Sequence, residues 1–355
     1  MKKNRLLICI ILLSFVLMLS ACQQQSPTPN PPEPSQNEPD DENRFEATAE
    51  QIEIYDNIEI TDWVDESTVI VSKENESLEK MRLSELSEQY PRSLYQYNFD
   101  TDEYTLLKEQ ENIFLSGAKL SSDKNHILFE GFSLGDPVIY VMDINTSETY
   151  NIPEAYSASW SDDGKVVGAS YKGGAYEASP QGEVTTLAPQ LQGSLFIVRK
   201  IGDKVFYNSS DDPSLRMIDL NTDQQEELNI DNVYNIIPLQ DRNQLLILQD
   251  DGTNTNLLLV DNDGGNLREL AEVDDIQGIS WSEDQKIVAY ILTRDEDGIS
   301  KKGIFLHDIE RDEAIEIIPD TASHNIIFSP TGKKLVYLEQ NDFNVTSTLV
   351  DLEYN

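Results

Sequence analysis

The side chains best suited to chemistry are few in this sequence. Three histidines, His126, His307 and His324, could each bind a metal or move a proton near neutral pH. None has a second ligand at the short spacings that metal motifs use. His324 precedes a candidate inner strand, so only the fold could bring it beside another ligand near a central channel. Asp261, Asp263, Glu269 and Glu272 fall at the offsets of an EF-hand calcium loop. That loop needs a glycine at its sixth position and a helix on either side. Asn266 stands there instead, and the stretch reads as a tight hairpin. No Gly-x-Ser-x-Gly elbow is present. No catalytic residue, metal site or cofactor is assigned.

Cysteine chemistry is confined to Cys9 and Cys22. A basic head of Lys2, Lys3 and Arg5 leads into an apolar run, Leu6 to Leu19, too short to span a bilayer. The run ends in Leu19-Ser20-Ala21-Cys22, which resembles the lipobox of bacterial lipoproteins. The resemblance implies a signal peptide at 1–21, cleavage before Cys22, and a diacylglyceryl group on its sulfur. The partner at that end is then a membrane, and the location is the outer face of the bacterial cytoplasmic membrane. Two acyl chains would anchor stably where one is marginal. Residues 22–44 carry almost no apolar side chains other than proline and read as a disordered spacer biased to extended polyproline. The segment 45–355 remains to fold, without a disulfide.

The charge is strongly one-sided, with 26 basic and 65 acidic residues and a net of −39. Such a chain is repelled by nucleic acid and by anionic headgroups, so no nucleic-acid partner is expected. The acids are spread along the whole sequence. That distribution favours a solubility role, with attraction of a basic partner as the alternative.

The elements that must position any site repeat. Trp63, Trp160 and Trp281 each precede a polar turn and a run of β-formers, as in SWSDDGKVVG. Leu120, a hydrophobic residue near Val198, Leu239 and Phe328 fit the same register. A period near forty built of short strands indicates an all-β fold, a β-propeller. Seven first-strand motifs give seven blades, with six as the alternative. Three tryptophans at one register indicate packing between blades rather than ligand stacking. The last unit lacks a fourth strand, and Gln51–Tyr55 is a spare one, predicted to close the ring as its outer strand. The W-S-x-D-G-K pattern, fullest at Trp160 to Val167, resembles the TolB-type, WD40-like propeller repeat. Together with the lipobox, the layout is similar to YqgU-like bacterial propeller lipoproteins. The resemblance implies a scaffold that often binds proteins and does not imply a chemistry.

Where the repeat is broken, binding is expected. Residues 73–93 of the first unit and 293–302 of the sixth are long second-to-third-strand connections, predicted to flank blade 7 on one face. The first carries Leu78, Met81, Leu83, Leu86 and Tyr90 among charges, with a short helix expected before Pro91. These five are the candidate contacts for a protein or peptide partner on the face of blades 6, 7 and 1. Binding of carbohydrate or cell-wall polymer, or a lyase with a channel site, is the alternative function.

Overall fold

The protein structure is a computed structural model that describes residues 44–355 except 240, 241, 297, 342 and 343. The expected signal peptide at 1–21, Cys22 and nearly all of the expected spacer lie outside the described residues. Residues Arg44–Asn355 form one compact unit. Its strands make seven four-stranded antiparallel sheets, so the ring has seven blades rather than six. The inner strands are Ile58–Trp63, Phe114–Leu120, Ser159–Trp160, Leu195–Ile201, Val233–Leu239, Asp275–Trp281 and Ser323–Phe328. In blades 1 to 6 strand order follows chain order from the axis outward.

The second strand of each blade explains why the fold is a ring. In blade 6, Ile287, Ala289 and Ile291 pack against blade 7, while Val288, Tyr290 and Leu292 pack against blade 5. In blade 5, Leu245 and Ile247 face blade 4, and Leu246 and Leu248 face blade 6. Alternate side chains leave a strand on opposite faces, so a strand apolar on both faces needs a neighbour on each side. Seven apolar clusters, each shared by two adjacent blades, fill the seven gaps. Polar groups stitch the same gaps. Ser72 Oγ donates to the Leu115 carbonyl at 2.6 Å, and Asn208 Nδ2 to the Val233 carbonyl at 2.6 Å. Ser347 Oγ donates to the Ile58 carbonyl at 2.7 Å and accepts from the Ile60 N–H at 2.9 Å. All three side chains are buried, where an unmet partner would be costly.

The tryptophans are packing residues. Trp63 lies in the gap between blades 7 and 1, Trp160 between 2 and 3, and Trp281 between 5 and 6. Trp160 Nε1 also donates to the Lys119 carbonyl of blade 2 at 2.9 Å. Two of the weaker repeat units behave differently. Val198 is mid-strand and fills the gap between blades 3 and 4. Its strand runs on to Ile201, and there the buried Lys200 reaches back to Asp163 and Glu177 of blade 3 at 2.5 and 3.1 Å. Leu239 faces blade 6 and not blade 4. In both blades the turn after the inner strand is shorter than the five- or six-residue turn after each tryptophan.

Ring closure follows the sequence reading, with a longer strand than expected. Ala47–Asp56 pairs with Asn344–Tyr354 as the outermost strand of blade 7, from Ala47 opposite Tyr354 to Asp56 opposite Thr346. Phe45 and Ala47 enter the cluster between blades 6 and 7, and the Phe45 N–H donates to Glu313 at 2.6 Å. Asn57, at φ 59°, turns the chain at once into blade 1. Deleting residues 45–57 removes this clasp and a buried phenylalanine. The deletion is expected to lower the melting temperature by roughly 5–10 °C. An unchanged melting curve would contradict the closing role.

Candidate functional site

Connections between second and third strands, and between successive blades, share one face of the ring, the upper face here. On it, at the junction of blades 7, 1 and 2, lies a pocket of about 180 Å³. Glu59 and Ser116 reach it from the inner strands of blades 1 and 2, and His324 from the start of the inner strand of blade 7. Arg92, Phe132 and Gln340 complete the wall. β-Bulges place several of these groups. The inner strands of blades 1, 2 and 7 shift register at Ile60/Asp62, Ser116/Lys119 and Ser323/Asn325. A bulge re-aims side chains that a regular strand would leave alternating between the two gaps.

The charges are coupled. Ser116 Oγ lies 2.9 and 2.7 Å from the two Glu59 carboxylate oxygens, to which it donates. Arg92 Nε donates to Ser72 Oγ at 3.0 Å, and its Nη2 donates to the carbonyls of Ser72 and Asn57. Burial pulls the Arg92 pKa down, and the nearby carboxylates of Glu59 and Glu74 oppose that pull. Glu130 sits opposite Ser116 in the blade 2 ladder. Its tip meets water, but the surrounding protein, and then the Glu59 carboxylate, push its pKa above the usual carboxylate range. The arrangement offers a fixed acceptor, a half-buried positive charge and apolar rings in one concavity, which is recognition chemistry.

The blade 1 insertion borders this pocket in a different way from the sequence reading. Its only helical element is a single 3₁₀ turn, Ser84–Leu86, in place of the expected helix. Met81 and Leu86 are 2% and 1% exposed and pack on Phe114 and Phe132 of blade 2. Met81 N–H bonds the Gln89 carbonyl at 2.9 Å, and Arg82 N–H bonds Asn112 Oδ1 at 2.7 Å. Leu78 and Tyr90 are half-buried, and Lys80 sits 5.6 Å from the Tyr90 ring centroid. Leu83 is exposed. None of these five lines the pocket, which Gln89 and Arg92 reach instead. The second predicted loop is not a loop either. Residues Ile287–Glu296 and Ile299–Asp308 extend the blade 6 ladder to the pair Glu296 and Ile299.

The histidines stay apart. His126 lies beside Asp123 and Asp143, at 3.9 and 3.8 Å, at the opposite end of its strand from the upper face. His307 is buried, 3.1 Å from Asp312 and 3.4 Å from the Tyr290 hydroxyl, and burial lowers its pKa. Only His324 reaches the pocket. Asp261 and Asp263 are hairpin residues: Asp261 accepts from Gln244 and Asn266, and Asp263 from the Gly265 N–H. Among the described residues no group of three or more His, Cys, Asp or Glu side chains is placed to hold a metal ion.

A second cleft of about 610 Å³ opens on the same face across blades 3, 4 and 5. Tyr156, Phe196, Tyr234, Asp250 and Asp251 lie along it. The sequence reading missed both concavities. The available signal was polar or aromatic residues breaking the apolar start of inner strands, as Glu59, Ser116 and Phe196 do.

No family model matches this chain, and no curated protein matches it. Solved structures do. An oligogalacturonate lyase in complex with manganese is 12% identical, with a TM-score of 0.62 over 87% of this chain and 98% of that one. The β-propeller domain of Myceliophteria thermophila Cps50 (Swd1) is 11% identical, with a TM-score of 0.54 over 83% and 99%. TolB from Acinetobacter baumannii is 14% identical, with a TM-score of 0.48 over 71% and 63%. At these identities the likeness is one of fold. It is the fold that TolB-type and WD40-like repeats imply.

The inward-facing insertion leads to a stability prediction. Leu86→Ala leaves a cavity over Phe114 and Phe132 and is expected to cost about 2–4 kcal/mol. Leu83→Ala, at the surface, is expected to cost under about 0.5 kcal/mol. Urea unfolding of the two variants measures the difference.

Proposed function

We propose that this chain is a non-catalytic binding scaffold that takes a segment of a protein or peptide partner on its upper face. The supporting observation is the pocket at the junction of blades 7, 1 and 2, whose wall combines Glu59, Arg92 and His324 with Phe114 and Phe132. It stands on a ring packed in every gap, so the groups are held ready before a ligand arrives. The pinned insertion of blade 1 forms its rim rather than a free arm.

The same proposal includes the membrane. The Leu19-Ser20-Ala21-Cys22 sequence supports lipidation at Cys22, and the proline-rich stretch after it supports a spacer between lipid and ring. The outer face of a bacterial cytoplasmic membrane is then the setting, as in YqgU-like propeller lipoproteins.

A second reading, binding of a carbohydrate or cell-wall polymer or its cleavage by a lyase, draws support from the likeness of fold to the oligogalacturonate lyase. Among the described residues no three His, Cys, Asp or Glu side chains are grouped to hold a metal ion such as the manganese of that complex. No step through a metal is derived for this chain.

Two experiments test the proposal. A photo-crosslinking side chain at Ser133, on the pocket wall, is expected to give a discrete protein adduct in intact cells. The same group at Asn145, in a turn on the opposite face, is expected to give none. Adducts from Asn145 alone would overturn the assignment of the face, and a glycan adduct at Ser133 would favour the second reading. For the anchor, Cys22→Ser is expected to move the protein from the membrane fraction to the soluble one; unchanged fractionation would remove the lipid from the model of function.

A further inference from the structure

The cleft across blades 3, 4 and 5 is separate from the pocket just described, and its chemistry points to a definite class of ligand. Three large aromatic side chains are exposed in one patch: Tyr156, Tyr171 and Phe196, at 44%, 55% and 39%. They touch one another. Tyr156 and Tyr171 meet edge to face with centroids 5.4 Å apart, and Tyr156 and Phe196 are tilted at 6.4 Å. Each is held by the backbone. Tyr156 N–H bonds the Ala169 carbonyl and Tyr171 N–H bonds the Glu154 carbonyl, both at 2.8 Å. Phe196 occupies the bulge between Leu195 and Ile197, which turns its ring out of the blade gaps. None of the three rings belongs to the apolar clusters between blades 2 and 3, 3 and 4, or 4 and 5.

Opposing these rings, the cleft wall carries carboxylates without cations. Asp250 accepts from the Gly252 N–H, and Asp251 accepts from Thr253 and the Asn254 N–H. Those turn hydrogen bonds hold the Asp251 carboxyl below the usual range, so it is ionised at neutral pH. Among the described residues neither makes an ion pair, and no lysine or arginine lines the cleft. Two other surface carboxylates near the same rim do have cations, Asp212 with Arg216 and Glu154 with Lys172. The cleft is therefore a place where π-faces and negative charge converge with nothing positive between them. The electron-rich faces of tyrosine and phenylalanine attract cations, and uncompensated carboxylates add to that attraction.

We propose that this cleft binds a lysine or arginine side chain presented by an extended segment of a partner protein, over the rings of Tyr156 and Phe196 and against Asp250 and Asp251. A neutral sugar would stack on the rings and donate hydroxyls to the carboxylates, but it brings no charge to balance theirs. An acidic glycan or an anionic bilayer surface would be repelled by them and by the net charge of −39. The site goes beyond the pocket reading: a cationic stretch held here would lie on the same face as the pocket across the axis, and the two contacts are independent.

The test is calorimetric titration of the full chain with a decapeptide of alternating glycine and lysine. Its norleucine counterpart and a neutral chitin oligosaccharide are run beside it. The lysine peptide is expected to bind and to weaken as salt rises. The double variant Tyr156→Ala with Phe196→Ala, which changes no charge, is expected to weaken it about tenfold or more. Asp250→Asn with Asp251→Asn, which keeps the turn acceptors, is expected to act in the same direction. Unchanged affinity in the aromatic variant would show that the peptide reads only the general acidity, and would overturn the proposal. Equal binding of the norleucine peptide, or binding of the oligosaccharide instead, would overturn it as well. Crosslinking from Ser133 reports on the pocket alone, so loss of one result leaves the other standing.

Discussion

The structure depends on the two-sided apolar character of its second strands. A strand such as Ile287–Glu296 sends alternate side chains into two different gaps, and both sets are hydrophobic. No blade can satisfy that alone, and a row of blades would leave its two end faces bare. The ring removes the ends. Closure therefore decides whether the rest is stable, and it rests on Phe45, Ala47 and the strand that follows them, which bring the start of the folded unit onto its last blade. Buried polar groups at the same seams, Ser72, Asn208 and Ser347, fix the blades in register where hydrophobic contact by itself would permit sliding.

That rigidity shapes the upper face. Inner strands close to the axis are crowded, and bulges in them release side chains that regular pleating would send into a gap. Glu59, Ser116 and His324 reach one concavity, and Phe196 and Tyr234 another, from strands whose remaining residues are committed to packing. The blade 1 insertion adds a rim because Met81 and Leu86 find an apolar floor in Phe114 and Phe132. The segment that interrupts the repeat is thus anchored on its neighbour by two buried side chains, while Leu83 and its charged residues stay at the surface.

Charge is arranged more finely than its total suggests. Of the many acids, those in the first turn of a hairpin, such as Asp123 and Asp163, accept hydrogen bonds from their own turns or meet a lysine. Their depressed pKa values, about 2 for Asp123, follow from those bonds. The Asp123 bonds come mainly from Ser121 and Asn125 and serve the turn. Asp250 and Asp251 likewise accept turn bonds, but they line a cleft beside exposed rings, and that setting separates them from the solubilising majority.

The sequence by itself determined the propeller fold, the closing strand and the role of the tryptophans, and it favoured seven blades with six left open until the seven sheets were seen. These follow from local pattern: period-two strands, turn residues and a repeat near forty are all written within a few residues of one another. It also marked Asp261 and Asp263 as hairpin residues, because turn chemistry is local. Only the tertiary structure decided which face Leu239 and Lys200 take, because the side of a strand end is set by its pairing register and not by its place in the repeat motif. It alone showed Met81 and Leu86 turned inward, since their partners Phe114 and Phe132 lie about thirty to fifty residues away. The two concavities were equally hidden. Each is assembled from three blades, and neighbours across a gap are set by the closure of the ring, which no stretch of sequence records.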